Sequence, residues 1–274
     1  RLAGLKSVRG DTAGAIADLE RAIAIGKAEK QPAESIAWAE WQLGSDYFAV
    51  GELEKAEMYF KRSVKTYPNY YRALAGLAQV CAAQNRLDQA IDLYEKAIAI
   101  LPMPEYAAAL GDVYLKIGEP RKAKQQYDLV EYIGKLSKLN QALYNRELAY
   151  FYADHDINLE KGLELAAREL DYRKDVYAYD LLAWSLYKNG EVEGAREAID
   201  KALKLGTKDA KIFYHAGMIY NRLGNERKAL EFLKGALAIN PHFHIFHAVK
   251  AEKVLKGLEN LSARIGTERQ GLGG

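Results

Sequence analysis

Seven small residues recur along the chain at a nearly constant interval, and this spacing constrains the fold more than any other feature. They are Ala15, Ala56, Ala90, Ala123, Gly162, Ala195 and Ala229, separated by 41, 34, 33, 39, 33 and 34 residues. A period near 34 residues is typical of proteins built from stacked units, each of which buries its apolar face against its neighbours. The sequence therefore predicts an array of small units rather than a single globular core.

Each interval carries the pattern of two helices joined by a short turn. A glycine five residues before the small residue, such as Gly51, fits the left-handed conformation that ends a helix. Four residues after the small position comes a large apolar residue, and three further on a smaller one, as at Phe60 and Ser63. Offsets of four and three lie on one helical face, and a proline such as Pro68 then ends the helix. Each unit is thus a predicted helical hairpin.

These patterns resemble the tetratricopeptide repeat (TPR), and the resemblance covers roughly residues 1–242. It implies an all-α, right-handed superhelical solenoid of about seven hairpins. The first helix of each hairpin, helix A, would line the concave wall, and the second, helix B, the outer wall. Residues 243–266 are amphipathic and are predicted to form a capping helix, followed by a flexible tail at 267–274.

Three regions depart from the regular pattern. Two intervals are too long, which predicts longer B helices or loops near residues 28–36 and 133–142. The fifth repeat, near 143–175, is the poorest match, because Tyr150 replaces a small residue and Ile157 replaces the turn glycine. That repeat is either a hinge that changes the curvature or a repeat whose sequence has drifted. The first residues resemble the second half of a helix, so we expect the natural chain to extend upstream.

Charge and cysteine content exclude several classes of function. The chain has 39 Lys and Arg residues against 37 Asp and Glu, and a net charge of +2 gives no general attraction to nucleic acid. The sequence has no transmembrane segment, and Cys81 is the only cysteine, so no disulfide can form within the chain. We expect a soluble protein, cytoplasmic or periplasmic.

Catalytic and cofactor motifs are absent from the sequence. It has no phosphate-binding loop, nucleophile elbow or zinc-protease motif, so we predict that the protein is not an enzyme and has no cofactor. His242, His244 and His247 are weak candidates for a metal site, because no carboxylate or cysteine is adjacent in sequence to complete it. The alternative is that these histidines pack against the last repeat.

The TPR resemblance identifies the helix A positions that would face the concave groove, and many of them are aromatic or acidic. The candidate partner-binding residues are Trp38, Trp41, Phe48, Arg72, Glu105, Asp112, Tyr144, Glu147, Phe151, Tyr177, Asp180, Trp184, Tyr187, Tyr214, Met218 and Asn221. Tryptophan and tyrosine often anchor bound partners, and the acids favour a peptide with a basic residue. The alternative is that the aromatic residues pack between successive repeats.

One TPR specialisation is excluded by the residues at its positions. Family members that bind chaperone C-termini use a clamp of basic and amide residues, whereas this chain offers Trp41, Ser45, Gly76, Glu105 and Ala109 there. The predicted function is therefore a non-catalytic scaffold that binds another partner polypeptide in the groove. The alternatives are a self-assembling structural protein, as a dimer or filament, and a module that binds a metal or a small ligand.

Overall fold

The computed structural model describes residues 2–139 and 145–271, and within these ranges the chain forms fifteen α-helices and no strand. The predicted all-α solenoid is confirmed. The helices are α1 (Leu2–Val8), α2 (Thr12–Ala28), α3 (Ala33–Ala49), α4 (Leu53–Thr66), α5 (Tyr71–Ala83), α6 (Leu87–Ile100), α7 (Pro104–Lys116), α8 (Pro120–Leu139), α9 (Asn145–His155), α10 (Leu159–Tyr172), α11 (Val176–Lys188), α12 (Val192–Leu203), α13 (Ala210–Arg222), α14 (Glu226–Ile239) and α15 (His247–Gly271).

Consecutive helices pair into seven hairpins, from α1 and α2 to α13 and α14, and α15 follows them. The recurring small residues are buried where helices approach each other. Close approach of helices also explains the glycines of helix A. A Cβ built on Gly44 or Gly76 would lie 2.6–2.8 Å from the nearest ring atoms of Phe60. One phenyl ring therefore fills the space between α3, α4 and α5 only because both neighbouring positions lack a side chain.

The hairpin turns follow the predicted glycine pattern in most repeats. Gly51 and Gly118 have positive φ angles of 78° and 81°, and Asn85 takes the same conformation with a φ of 60°. The fifth repeat differs from the prediction, because its left-handed residues are Asp156 and Asn158, with φ angles of 55° and 44°, and not Ile157. Asparagine and aspartate tolerate this conformation better than a β-branched isoleucine does.

The extra residues of the two long intervals lie mainly in helices. The helices α2 and α3 have 17 residues each, and α8 has 20 residues, whereas most of the others have 12–14. The second predicted insertion continues to residue 142, and its last part lies outside the described residues. Within the described residues, the insertions therefore extend the hairpins without adding a separate element.

The two ends of the array contact each other. The Thr207 hydroxyl donates a hydrogen bond to the carbonyl of Val8, and the Asn240 amide donates to the carbonyl of Phe48 at 2.7 Å. The turn at Gly10 lies so close to Gly206 that a Cβ on Gly10 would be 2.6 Å from the Gly206 carbonyl oxygen. The superhelix thus closes into a ring, in which repeats at opposite ends of the sequence are neighbours.

The capping helix begins at His247 and not at residue 243, and it runs to Gly271. The residues before it form a turn because the Asn240 carboxamide oxygen accepts from the His242 N–H at 2.7 Å. The His244 ring then accepts from the N–H groups of Phe246 and His247, which sets the start of α15. The part of the expected tail up to Gly271 is helical, and residues 272–274 lie outside the described ranges.

None of the described helices has both the length and the apolar character that crossing a membrane requires.

Candidate binding groove

Residues 241–249, which we call the groove segment, lie in the concave groove of the ring. Ile245 packs against the apolar core shared by α5, α6 and α7, and a cavity of about 170 Å³ remains between the groove segment and these helices. Farther along, the ring of Phe243 lies 5.5 Å from that of Tyr214, and His247 stacks on Tyr214 at 4.9 Å. The chain itself therefore fills the part of the groove between α7 and α13.

This arrangement divides the predicted wall residues into two groups. The buried ones, which a partner cannot contact in this arrangement, are Phe48, Asp112, Phe151, Asp180, Trp184, Tyr214 and Met218. The ones that are at least partly exposed are Trp38, Trp41, Arg72, Glu105, Glu147, Tyr177, Tyr187 and Asn221. Tyr144 lies outside the described residues. Burial thus restricts any binding surface to the second group.

Trp184 illustrates why the buried group is not open to a partner. Its side chain has no exposed surface, and it lies between the rings of Tyr187 and His215, at centroid distances of 5.0 and 4.1 Å. Its indole N–H donates to the Asp154 carboxylate at 2.8 Å. Trp184 therefore packs between successive repeats, which is the alternative that the sequence left open for the aromatic residues.

The groove also contains a layer of buried and partly buried aspartates and histidines, which we call the Asp–His layer. Of its members, Asp112, Asp180, His215 and His247 are buried, and Asp154, His155 and His244 are partly buried. Burying a carboxylate is unfavourable unless hydrogen bonds and opposite charge compensate it. Each of the three aspartates has such partners, so the predicted acidic wall is largely neutralised within the chain.

Asp112 is held by three side chains. It accepts hydrogen bonds from the Tyr127 hydroxyl at 2.7 Å and pairs with His155 Nε2 at 2.8 Å, and His244 Nε2 lies 3.5 Å from its second oxygen. Burial alone would lower the pKa of His155, but the hydrogen bond to Asp112 and its negative charge raise it above the ordinary value. The contact with Asp112 thus favours the protonated form of His155.

Asp154 and Asp180 are compensated in a similar way. Lys211 lies 3.1 Å from the Asp154 carboxylate, and although burial acts to raise the pKa of Asp154, the positive charge of Lys211 lowers it strongly. Asp180 pairs with the ring of His215 at 2.8 Å and accepts from the Tyr150 hydroxyl at the same distance. Tyr150, at a small-residue position in the TPR pattern, therefore connects the fifth and sixth repeats.

Two of the metal candidates, His244 and His247, come together with Asp154, and potential ligand atoms of the three lie within 4.8 Å of one another. The two imidazole rings are stacked, with centroids 4.1 Å apart and planes inclined by 18°. A bound metal lies in the plane of each imidazole that ligates it, so two nearly parallel rings do not direct their lone pairs to one point. In this arrangement the three groups do not form a metal site, and His242 is exposed and apart from them.

The other half of the groove is open. A cavity of about 280 Å³ lies between α3, α5 and α7, and it is lined by Trp41, Ser45, Arg72, Gln79, Glu105 and Tyr106 among others. The guanidinium of Arg72 lies over the rings of Trp41 and Tyr71, at 5.1 and 5.3 Å from their centroids. Arg72 forms no ion pair with a carboxylate of the described ranges. This cavity is the accessible part of the predicted wall.

Several residues that shape the groove were not predicted as site residues. His155, His215 and Lys211 complete the Asp–His layer, and Tyr106 lines the open cavity. The sequence could have indicated His155, because three titratable residues, Asp154, His155 and Asp156, stand together at the end of a predicted helix A. Nothing local marks His215, since its partner Asp180 is 35 residues away.

The chain of helical hairpins with a concave groove defines a helical-repeat solenoid. The sequence matches the tetratricopeptide repeat family over residues 35–103 and again over residues 181–242. The protein is a tetratricopeptide repeat protein, as the spacing of its small residues predicts.

Two curated proteins are similar to the chain over part of their length. One is the Protein CTR9 homolog of Arabidopsis thaliana, 26% identical over 212 residues, which are 74% of this chain and 19% of that protein. Another is the TPR repeat-containing protein MJ1428 of Methanocaldococcus jannaschii, 27% identical over 165 residues, which are 56% of this chain and 28% of that protein. The chain thus spans less than a third of the length of either relative.

Two solved structures have a similar fold. A tetratricopeptide repeat protein from Parabacteroides merdae superposes with a TM-score of 0.52 at 15% identity, covering 94% of this chain and 96% of that one. The Cut9–Hcn1 hetero-tetramer of the APC/C gives a TM-score of 0.52 at 19% identity, covering 90% of this chain and 46% of that one. At these identities the similarity establishes the fold alone.

Proposed function

We propose that this protein is a non-catalytic scaffold that binds a partner polypeptide in the open half of its concave groove, between α3, α5 and α7. TPR proteins generally mediate protein–protein interactions and are typically non-catalytic. One solved structure of similar fold is itself a hetero-tetramer, Cut9–Hcn1.

The observation that carries the proposal is the contrast between the two halves of the groove. Between α7 and α13 the groove segment fills the space, with Phe243 and His247 against Tyr214. Between α3 and α7 no side chain of residues 2–139 or 145–271 fills the cavity, and it is lined by the half-buried Trp41 and by Tyr106. Half-buried aromatic residues in a concave site are typical anchors for a partner.

The arrangement of the polar groups in the groove supports a non-catalytic role. General acid–base chemistry requires a titratable group that a substrate can reach. The carboxylates of Asp112 and Asp180 are buried and that of Asp154 is mostly buried, and each is already engaged by histidine, lysine, tyrosine or tryptophan side chains. Within the described part of the chain, these groups serve to hold the repeats and the groove segment together.

The experiment is an affinity capture from native lysate, read by mass spectrometry. It compares the natural sequence with Trp41→Ala and Arg72→Gln, and it uses Trp38→Ala as the matched control because Trp38 lies outside the open cavity. We expect a partner that is retained by the natural sequence and by the control, and lost by the two cavity variants. A partner that all four proteins retain equally would contradict binding at this cavity. Circular dichroism confirms that each variant is folded.

Self-assembly is a second candidate function, favoured by one apolar recess at the N-terminal end. Leu2, Ile25 and Trp38 are 72%, 47% and 45% exposed and line this recess together. Exposed apolar side chains that adjoin one another mark potential interfaces between chains. Light scattering over a range of concentrations tests this function: a mass that rises with concentration, and that Trp38→Ser prevents, supports it, whereas a constant monomer mass eliminates it.

A further inference from the structure

We infer that the open half of the groove selects a partner segment that carries a carboxylate, and that Arg72 binds this carboxylate. The inference rests on the proposed function, because it specifies the class of polypeptide that the same cavity accepts. It reverses the expectation from the sequence, in which the acidic residues of the groove favour a basic partner.

The first step of the argument is that most of the groove's acids are not available. Asp112 and Asp180 are at most 4% exposed and contact the rings of His155 and His215. Asp154, whose side chain is 9% exposed, pairs with Lys211. A basic peptide would have to displace these internal partners, and the groove segment covers the same region. The acidic wall is therefore a structural feature rather than a binding surface.

The second step is that Arg72 is unusual among the positive charges of the groove. Lys211 pairs with Asp154, and Arg146 pairs with Glu169 and Asp175 at 2.8 and 3.1 Å. Arg72 instead lies over the rings of Trp41 and Tyr71, and it forms no ion pair within the described ranges. Aromatic rings hold a guanidinium by cation–π attraction, and the hydroxyl of the adjacent Tyr71 also interacts with it, but no carboxylate of the described ranges engages its N–H groups.

The third step concerns the chemical group that best fits the N–H groups of Arg72, which no carboxylate of the described ranges engages. A guanidinium presents N–H groups in a planar fork, and a carboxylate matches this fork with two parallel hydrogen bonds. Arg72 lies in the first turn of α5, whose cap residue Tyr70 makes no side-chain hydrogen bond to the helix. The partial positive charge at a helix start adds to the attraction for an anion. Arg72, in the first turn of α5, thus supplies a positive charge to the lining of the cavity.

Glu105 lines the same cavity and provides an internal check. Its negative charge attracts Arg72 and repels a carboxylate that enters the cavity. Replacing Glu105 with glutamine removes this competition while keeping the shape of the side chain. An acidic ligand should therefore bind more tightly to Glu105→Gln, whereas a neutral ligand should not.

The test uses synthetic decapeptide pools, because no partner is yet identified. Three pools contain mixed apolar residues and one fixed position, which is Glu, Gln or Lys. Their N-termini are acetylated and their C-termini are amidated. A further Gln pool has a free C-terminal carboxylate, which separates a side-chain carboxylate from a terminal one. Fluorescence anisotropy measures binding to the natural sequence, to Arg72→Gln, Arg72→Lys, Glu105→Gln and Trp41→Ala, and to Lys116→Gln as the control.

We expect at least one carboxylate-bearing pool to bind about tenfold more tightly than the amidated Gln pool, as a charge-assisted pair predicts. This preference should vanish in Arg72→Gln, persist partly in Arg72→Lys, increase in Glu105→Gln and remain unchanged in Lys116→Gln. If it persists in Arg72→Gln, another residue reads the carboxylate and the inference is wrong.

The design separates failure of the inference from failure of the proposed function. If all pools bind equally and Trp41→Ala weakens them all, the groove binds polypeptides but Arg72 does not select a carboxylate. If no pool binds the natural sequence, both the inference and the proposed binding cavity are contradicted. A preference for the Lys pool would restore the expectation of a basic partner and overturn the inference.

Discussion

The side-chain amide of Asn240 donates a hydrogen bond to the backbone carbonyl of Phe48 at 2.7 Å, across a sequence separation of 192 residues. The same side chain accepts from the N–H of His242 and so fixes the turn that directs residues 241–249 into the groove. One buried asparagine thus links the closure of the ring to the position of the groove segment.

Replacing Asn240 with alanine should destabilise the protein by about 1–3 kcal/mol, because the Phe48 carbonyl then lacks its buried donor. Urea denaturation followed by circular dichroism measures the change. The control is Asn221→Ala, since Asn221 is half-buried at the C-terminal end of α13 and is outside the closure. Equal midpoints for Asn240→Ala and the natural sequence would show that the contact does not hold the ring closed.

The tryptophans should respond very differently to truncation. Trp184→Ala removes a fully buried indole that packs on two rings and donates to Asp154, and such a change costs about 3–5 kcal/mol. Trp38→Ala affects a side chain that is 45% exposed and should cost less than about 1 kcal/mol. Thermal unfolding distinguishes the two variants, and similar losses for both would contradict the burial of Trp184.

The stability of the groove segment should fall on mild acidification. Burial lowers the pKa of His244, and burial together with the neighbouring His244 lowers that of His247 well below the ordinary value of 6.5. Unfolded chains then bind more protons than folded ones below pH 6.5, so this contribution to stability is present above that pH and is lost as the pH falls toward the folded-state values.

The charged groups that face these two histidines are Asp112, Asp154, Lys211, His155 and His215. His155 acts in the opposite sense, because its pKa is raised, and its contribution is present below pH 6.5 and lost as the pH rises through its folded-state value. A double variant, His244→Gln with His247→Gln, isolates the first effect. We expect the urea midpoint of the natural sequence to fall more between pH 7.5 and 5.5 than that of the variant, and an equal fall would contradict the assignment.

Cys81 should react slowly with thiol reagents in the folded protein. It is 3% exposed in the core between α5 and α7, and burial raises its pKa. Because the thiolate is the reactive form, both access and ionisation oppose the reaction. Labelling with Ellman's reagent in buffer and in urea provides the comparison, and rapid labelling in buffer would show that this core opens readily.

The features that could be predicted from the sequence are those that depend on contacts within one repeat and that recur from repeat to repeat. Ala56 and Ala90 mark helix contacts, and Gly51 marks a left-handed turn, because these roles depend on residues within one hairpin or its neighbour. Both the number of hairpins and the all-α fold follow from this pattern. The start of α15 was mispredicted because it is set by the His244 ring and by Asn240 rather than by helical periodicity.

The groove could be predicted only in part, because its occupancy depends on contacts between distant repeats. Trp184 and Tyr214 occupy helix A positions as expected, yet His247 from the end of the chain covers them. Asp112 was expected to face a partner, but it pairs with His155, 43 residues away. No periodicity within a repeat encodes a contact that arises only when the superhelix closes.

Site-specific photo-crosslinking tests the central claim most directly, that a polypeptide binds in the open half of the groove. A benzoylphenylalanine replaces Gln79, an exposed residue of α5 that lines the open cavity, or Lys96 on α6, which is exposed and lies outside that cavity. We predict that the Gln79 probe forms a crosslinked product with a polypeptide in native lysate, that the Lys96 probe does not, and that adding Arg72→Gln abolishes the product. Crosslinks to the same partner from Lys96 would contradict binding in this cavity, whereas a Gln79 crosslink that persists in Arg72→Gln would contradict only the role of Arg72.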